Sequence, residues 1–221
     1  MNIVGALRYA ADCTRPDISF TTSLLARFLQ NPSNEHYNTV KHCFGYLKRT
    51  KDYWLTLGGD SDVHFVHGFS DADGMNQEGY KAISGYVFRL GKSTISWRTK
   101  RQNLISLSTH EAELQALIDA SQEAIWLRHI YSEVLDTSNS LGPMVVYCDN
   151  QSTIHTVKVE EMTFKKLSKH IDRQKEWIRQ RVERKEIDVK FVRTKAQLAD
   201  MFTKPLNGLQ LKYYSQLLGL Q

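Results

Sequence analysis

With 221 residues, 41% hydrophobic and 24% charged, the chain has room for one ordinary domain plus an extra piece and the make-up of a globular protein. Its net charge of +5, with a pI near 9.0, permits a polyanionic partner without requiring one. No apolar run reaches the roughly 18–20 residues needed to cross a bilayer, and no basic flank with an apolar core marks a secretory signal, so no membrane partner is expected.

Residues 1–58 read as helical and distinct from the rest of the chain. Pro16 and Pro32 punctuate the early segments, and Asn34 can cap a helix carrying His36, Tyr37, Val40, Phe44 and Leu47 on one face to about Lys51. Gly58-Gly59-Asp60-Ser61 then forms a turn-rich joint, so 1–58 and 61–221 are expected as two units. Beyond the joint the pattern changes to strands. Val63 to Asp71 alternates, and Ile83 to Leu90 and Ser93 to Arg98 form a hairpin about Gly91-Lys92. A long helix is predicted from Thr109 to Leu135, its Ala116, Ala120 and Ala124 suited to close packing on a sheet. MVVYCD after Pro143 reads as a buried parallel strand. A short helix over 151–158, a basic one from Lys165 to Arg184, a strand from Ile187 to Val192 and a helical end from Gln197 complete the order β-β-β-α-β-α-α-β-α.

The three cysteines, Cys13, Cys43 and Cys148, give neither a disulfide framework nor a zinc spacing and fit a reducing intracellular compartment. His42 beside Cys43 lacks a second pair at ligand spacing, and both read as helix residues. Lys92, Arg98, Lys100 and Arg101 gather around the hairpin, and Lys165, Lys166, Lys169, Arg173 and Lys175 on the later helix. Either group is a candidate for phosphate contacts or a solvated face.

Four acids fall near the ends of predicted elements: Asp71 in HGFSDAD, Glu113 in LSTHEAELQAL, Asp149 after VVYC and Asp200 in KAQLADMF. Each has an ordinary alternative: a turn aspartate, a first-turn acid, an N-cap and a surface acid, respectively. A carboxylate beside a buried apolar strand is costly unless paired, hydrogen-bonded or metal-bound, which makes Asp149 the most informative.

The runs FSDAD, STHEAELQAL, VVYCDNQST, KHID and VKFVRTKAQLADMFTKPL resemble the ribonuclease H of copia-type retrotransposon Pol polyproteins. CTRPDISF and YLKRTKDYWL resemble the segment joining reverse transcriptase to that nuclease. The resemblance implies an α/β fold with a five-stranded mixed sheet flanked by helices, over 61–221, preceded by a helical connection remnant over 1–58. It maps the catalytic and metal-binding carboxylates onto Asp71, Glu113, Asp149 and Asp200. The implied cofactor is a pair of Mg²⁺ ions, with Mn²⁺ as a substitute, and the implied substrate is an RNA–DNA hybrid. Asp71 is expected to bridge both ions, Glu113 and Asp149 to serve the leaving-group side, and Asp200 the water-activating side.

Hard divalent ions prefer such oxygen donors, and two of them about 3.5–4 Å apart support in-line phosphodiester hydrolysis. His110, Asn150 and Gln151 flank the proposed ligands and are candidates for 2′-hydroxyl contacts, the alternatives being a helix-cap histidine and a polar helix start. Lys165, Lys166, Lys169 and Arg173 are candidates for the other strand's phosphates.

The sequence departs from the family beside Asp71, where Gly74 and the run MNQEGYKA replace a tryptophan and its charged followers. Arg193, Thr194 and Lys195 stand where many cellular ribonucleases H have a histidine that retrotransposon versions commonly lack. No YxDD-type polymerase motif occurs, so the chain is not expected to synthesise DNA, and the resemblance implies an upstream reverse transcriptase portion of Pol as its partner in an intact element. It reads as a piece of a larger Pol protein or a truncated genomic copy, acting in a cytoplasmic virus-like particle or the nucleus. The alternative is a degenerate, non-catalytic remnant that at most binds nucleic acid. An integrase or transposase of related fold would place its glutamate last, whereas here the glutamate comes second.

Overall fold

The computed structural model describes residues 2–58, 65–73, 81–134, 142–159 and 169–221. Helices α1 (Asn2–Cys13), α2 (Ser19–Ala26) and α3 (Asn34–Arg49) come first, with a 3₁₀ turn at Pro16–Ile18. Strands β1 (Val66–Asp73), β2 (Ile83–Leu90) and β3 (Ser93–Arg101) follow, then α4 (Thr109–Val134) and β4 (Met144–Cys148). Helices α5 (Gln151–Lys158) and α6 (Lys169–Glu183), strand β5 (Ile187–Phe191), 3₁₀ turns at Thr194–Ala196 and Leu198–Phe202, and α7 (Gly208–Leu217) end the chain.

The strands form one five-stranded mixed sheet in the order β3-β2-β1-β4-β5, as expected. The β1–β2 and β2–β3 pairs are antiparallel, and the β1–β4 and β4–β5 pairs are parallel. Helix α4 covers one face through Leu114, Leu117 and Ile118, which pack with Phe88, Val146 and Val189 in the main core. Ala116, Ala120 and Ala124 are all buried, as their spacing predicted. The C-terminal turns and α7 cover the other face, where Phe202 and Leu218 meet Phe69 and Val87. No described helix is long and apolar enough to cross a membrane.

Several expected boundaries move for identifiable reasons. β1 runs on to Asp73 because its antiparallel ladder with β2 continues to Asp73↔Ile83, so Asp71 lies inside the strand. β3 reaches Arg101 through its pair with Ile83. The helical end expected from Gln197 begins as a single 3₁₀ turn, Leu198–Phe202, and α7 starts only after Pro205, capped by Asn207, whose Oδ1 accepts the Gln210 N–H at 2.9 Å. Ser33, not Asn34, caps α3, and the helix buries Val40 and Cys43 while Tyr37 and Phe44 stay exposed.

The joint in sequence is not a gap in space. Its turn falls largely on 59–64, outside the described residues. Helix α2 lies against β3, the Trp97 Nε1–H donates to the Ala11 carbonyl at 2.8 Å, and Leu55 bridges to Leu220 near the C-terminus. The N-terminal helices also have a small core of their own, built on Leu7, Ile18, Leu25 and Val40.

Candidate metal centre

The site forms where β1 outruns its parallel neighbour. The β1–β4 ladder is in register at Phe69↔Tyr147, and β4 ends at Cys148, while β1 stays paired to β2 beyond Asp71↔Gly85. Asp71 therefore sits mid-sheet on one side and at an open edge on the other, only 2% exposed. Asp149 follows β4 directly. The cap of α5 belongs to Asn150, whose Oδ1 accepts the Thr153 N–H at 3.0 Å, so Asp149 is not the helix cap.

Two close approaches bring the other acids to Asp71. Ala72 and Ala82 pack against Ala112 and Ala116, and these small side chains let the start of α4 lie on the sheet. Glu113, fifth in α4, is carried to 5% exposure beside Asp71 and Asp149 rather than to a solvated first turn. On the opposite face, Gln197 caps the Leu198–Phe202 turn and its Nε2 donates to the Ser70 carbonyl at 2.9 Å, fixing the turn to β1. Asp200 in that turn is 7% exposed and is not a surface acid.

Gly85 is what allows this second approach. A Cβ there would stand 2.7 Å from both Phe202 Cβ and Thr203 Cγ2, so any side chain must push the turn off the sheet. Gly85→Ala is expected to lower stability by about 1–3 kcal/mol and, by moving Thr203, to loosen Asp71. A thermal melt checks it, and an unchanged melting temperature would contradict the contact.

The polar contacts converge. The Thr203 hydroxyl donates to Asp71 Oδ2 in a short hydrogen bond. Lys204 Nζ lies 2.9 Å from Asp200 Oδ1 and 3.7 Å from Asp71 Oδ2. The Thr194 hydroxyl donates to Asp149 Oδ2 at 2.8 Å. Burial pushes the Asp71 carboxyl up to about 6, with Asp200 and Asp149 adding repulsion against the pull of Lys204 and Thr203. Burial, then the charges of Asp71 and Asp149, push Glu113 up to about 9. Asp200 is raised for the same first reason, tempered by Lys204.

This donor set fits a hard divalent cation. Among the described residues the buried Glu113 Oε2 has no hydrogen-bond partner, an expensive state that a bound cation would relieve. Ligand atoms of Glu113, Cys148 and Asp149 lie within 4.8 Å of one another. Cys148 is fully buried in the main core with its thiol pushed up by burial, so it counts as packing, and the oxygens remain.

The other expected contacts are placed less centrally. The His110 ring nitrogens lie 3.3 Å from the Thr153 and Thr156 hydroxyls, which ties the imidazole to α5. Asn150 is engaged as the α5 cap, and Gln151 is exposed at that helix start. Arg173 is exposed on α6, which begins at Lys169, and Lys165 and Lys166 lie outside the described residues, as does the divergent loop 74–80. Sequence reasoning missed Gln197, Thr203 and Lys204. Lys204 could have been found, since it follows Asp200 at the four-residue spacing that pairs side chains on a helical turn.

No protein-family model matches the chain. It is 35% identical over 218 residues to the retrovirus-related Pol polyprotein from transposon TNT 1-94 of Nicotiana tabacum, covering 98% of the chain and 16% of that relative. It is 33% identical over 220 residues to the corresponding polyprotein from transposon RE2 of Arabidopsis thaliana, covering 99% of the chain and 15% of the relative. The chain thus spans about a sixth of the length of these relatives. Among solved structures, ribonuclease H1 of Halobacterium salinarum aligns with 62% of the chain and 93% of its own, at 17% identity and a TM-score of 0.44.

Proposed function

Because the chain belongs to the copia-type retrovirus-related Pol polyproteins and has the ribonuclease H-like fold, we propose that it cuts the RNA strand of an RNA–DNA hybrid by metal-dependent hydrolysis. One observation supports this most: Asp71, Glu113, Asp149 and Asp200 are close enough to repel one another in turn beside the end of β4, and among the described residues the buried Glu113 Oε2 has no hydrogen-bond partner. Asp71, Glu113, Asp149 and Asp200 would hold two Mg²⁺ ions. When bound, the ions supply a water acidified towards hydroxide and a counter-charge for the leaving oxygen.

The chain's own residues set the geometry around them. Thr203 and Thr194 each fix one carboxylate oxygen, of Asp71 and Asp149 respectively, and the remaining oxygens would serve as metal ligands. Gln197 holds the Asp200 turn against β1. Gln151, exposed at the start of α5, and with it His110 and Asn150, would contact the 2′-hydroxyls by which an RNA strand is told from DNA. Arg173 and the lysines 165, 166 and 169 would contact phosphates of the duplex. In a complete element an upstream reverse transcriptase portion would hold the same duplex and raise its effective concentration at the site. A reducing setting, the cytoplasmic particle or the nucleus, suits three cysteines that are all free.

The test is incubation of the purified chain with a labelled RNA–DNA hybrid and Mg²⁺, beside double-stranded DNA and an EDTA control. Cleavage is expected of the RNA strand in the hybrid alone, and EDTA should abolish it. Hybrid binding without any cut would instead support a non-catalytic remnant.

A further inference from the structure

The acidic cluster contains a cation supplied by the chain itself. Lys204 Nζ sits 2.9 Å from Asp200 Oδ1 and 3.7 Å from Asp71 Oδ2, between two carboxylates assigned to metal. Its neighbour Thr203 holds Asp71 from the same turn, so one dipeptide grips the central acid by a hydrogen bond and an ion pair. The turn is anchored independently by Gln197 on Ser70, so Lys204 is not needed to hold it against the sheet. We propose that Lys204 is an internal counter-ion that occupies the metal-free centre and must withdraw for divalent metal to load. This rests on the metal-centre reading above and adds a competition to it.

The electrostatics give the sign. A salt-bridged ammonium lowers the cluster's negative potential, so an entering ion must break contacts to both carboxylates before it gains its own. The Lys204 side chain is already 35% exposed, so its ammonium can leave the two carboxylates without first being uncovered. There is also room for it. Lys204 lines a cavity of about 300 Å³ between the N-terminal helices and the C-terminal segment, with Asp17, Tyr46, Pro205 and Leu211 in its walls. A four-carbon stem can swing into that space while the backbone turn stays fixed. A purely structural lysine would behave in the opposite way: its loss would loosen Asp71 and Asp200 and weaken metal binding.

Mn²⁺ binding to the full chain, followed by calorimetry in the absence of nucleic acid, separates the two. Lys204→Met is expected to bind Mn²⁺ roughly five- to ten-fold more tightly than the native protein. Lys204→Arg, which keeps the charge, should stay near the native affinity. If Lys204→Met does not fold, Lys204→Gln serves the same comparison. Equal or weaker binding in the uncharged variant, with the native protein binding normally, would overturn the competition alone. Failure of every form to bind Mn²⁺ would overturn the metal centre itself, and the competition with it.

Discussion

Asp71→Asn is expected to lower hybrid cleavage by about 10³-fold while raising the melting temperature of the metal-free protein. Removing one preorganised polar group costs on the order of 10²–10³ in turnover, and a carboxylate proposed to be shared by two ions is expected at the upper end. Asparagine keeps the shape, and its amide oxygen can still accept from Thr203, so the fold has no reason to fail. The gain in stability has a definite sign. The Asp71 carboxyl rises from an ordinary 3.8 to about 6 in the fold, so above that pH the folded protein carries a charge it disfavours. The shift corresponds to about 3 kcal/mol at most, which asparagine would return as several degrees in a domain of this size. Cleavage kinetics and a melt in EDTA check both halves. A variant that cuts normally, or one that melts lower, would show that Asp71 is not a strained metal ligand.

In EDTA the native protein should lose stability as pH rises from about 4 to 9, and saturating Mg²⁺ should largely abolish the slope. Carboxyls raised in the fold bind protons more tightly there than in the unfolded chain, so folding is favoured below their unfolded values and that advantage drains away through the folded ones. For Asp71 the window runs from 3.8 to about 6, and for Glu113 from 4.5 to about 9. Lys204, raised above 10.5, keeps its contribution throughout that range. Bound metal replaces the proton as partner of the same oxygens, which is why it should flatten the curve. Glu113→Gln should remove the part of the slope between pH 6 and 9. Melting temperatures that climb with pH in EDTA would contradict the burial of these acids.

Much of this was legible in the sequence because the signals are local. The hairpin-forming run Ile83–Leu90 and the run MVVYC mark their strands, and the alanine steps of α4 mark the face it buries. The four acids stood out because each lies near an element end within a recognisable motif. What did not show depends on partners far away in the chain. The depth of Asp71 inside β1 is set by its ladder with β2, and the burial of Glu113 by Ala72 and Ala82 meeting Ala112 and Ala116. Nothing in the run ISGYVFRL marks Gly85 as the point where the Phe202–Thr203 turn lies on the sheet. Lys204 and Thr203 sat in a quoted motif, yet their grip on Asp71 crosses more than a hundred residues. The exposed Tyr37 and Phe44 show the same limit, since helical period locates a face and not what covers it.

Whether these four carboxylates make one metal-holding centre is tested most directly by crystals soaked in Mn²⁺ and measured at the manganese absorption edge. The anomalous signal marks the ion without reference to activity. Density is expected among Asp71, Glu113, Asp149 and Asp200, with Lys204 displaced from Asp71. Manganese bound only elsewhere, or a centre still closed by Lys204 at saturating ion, would contradict it.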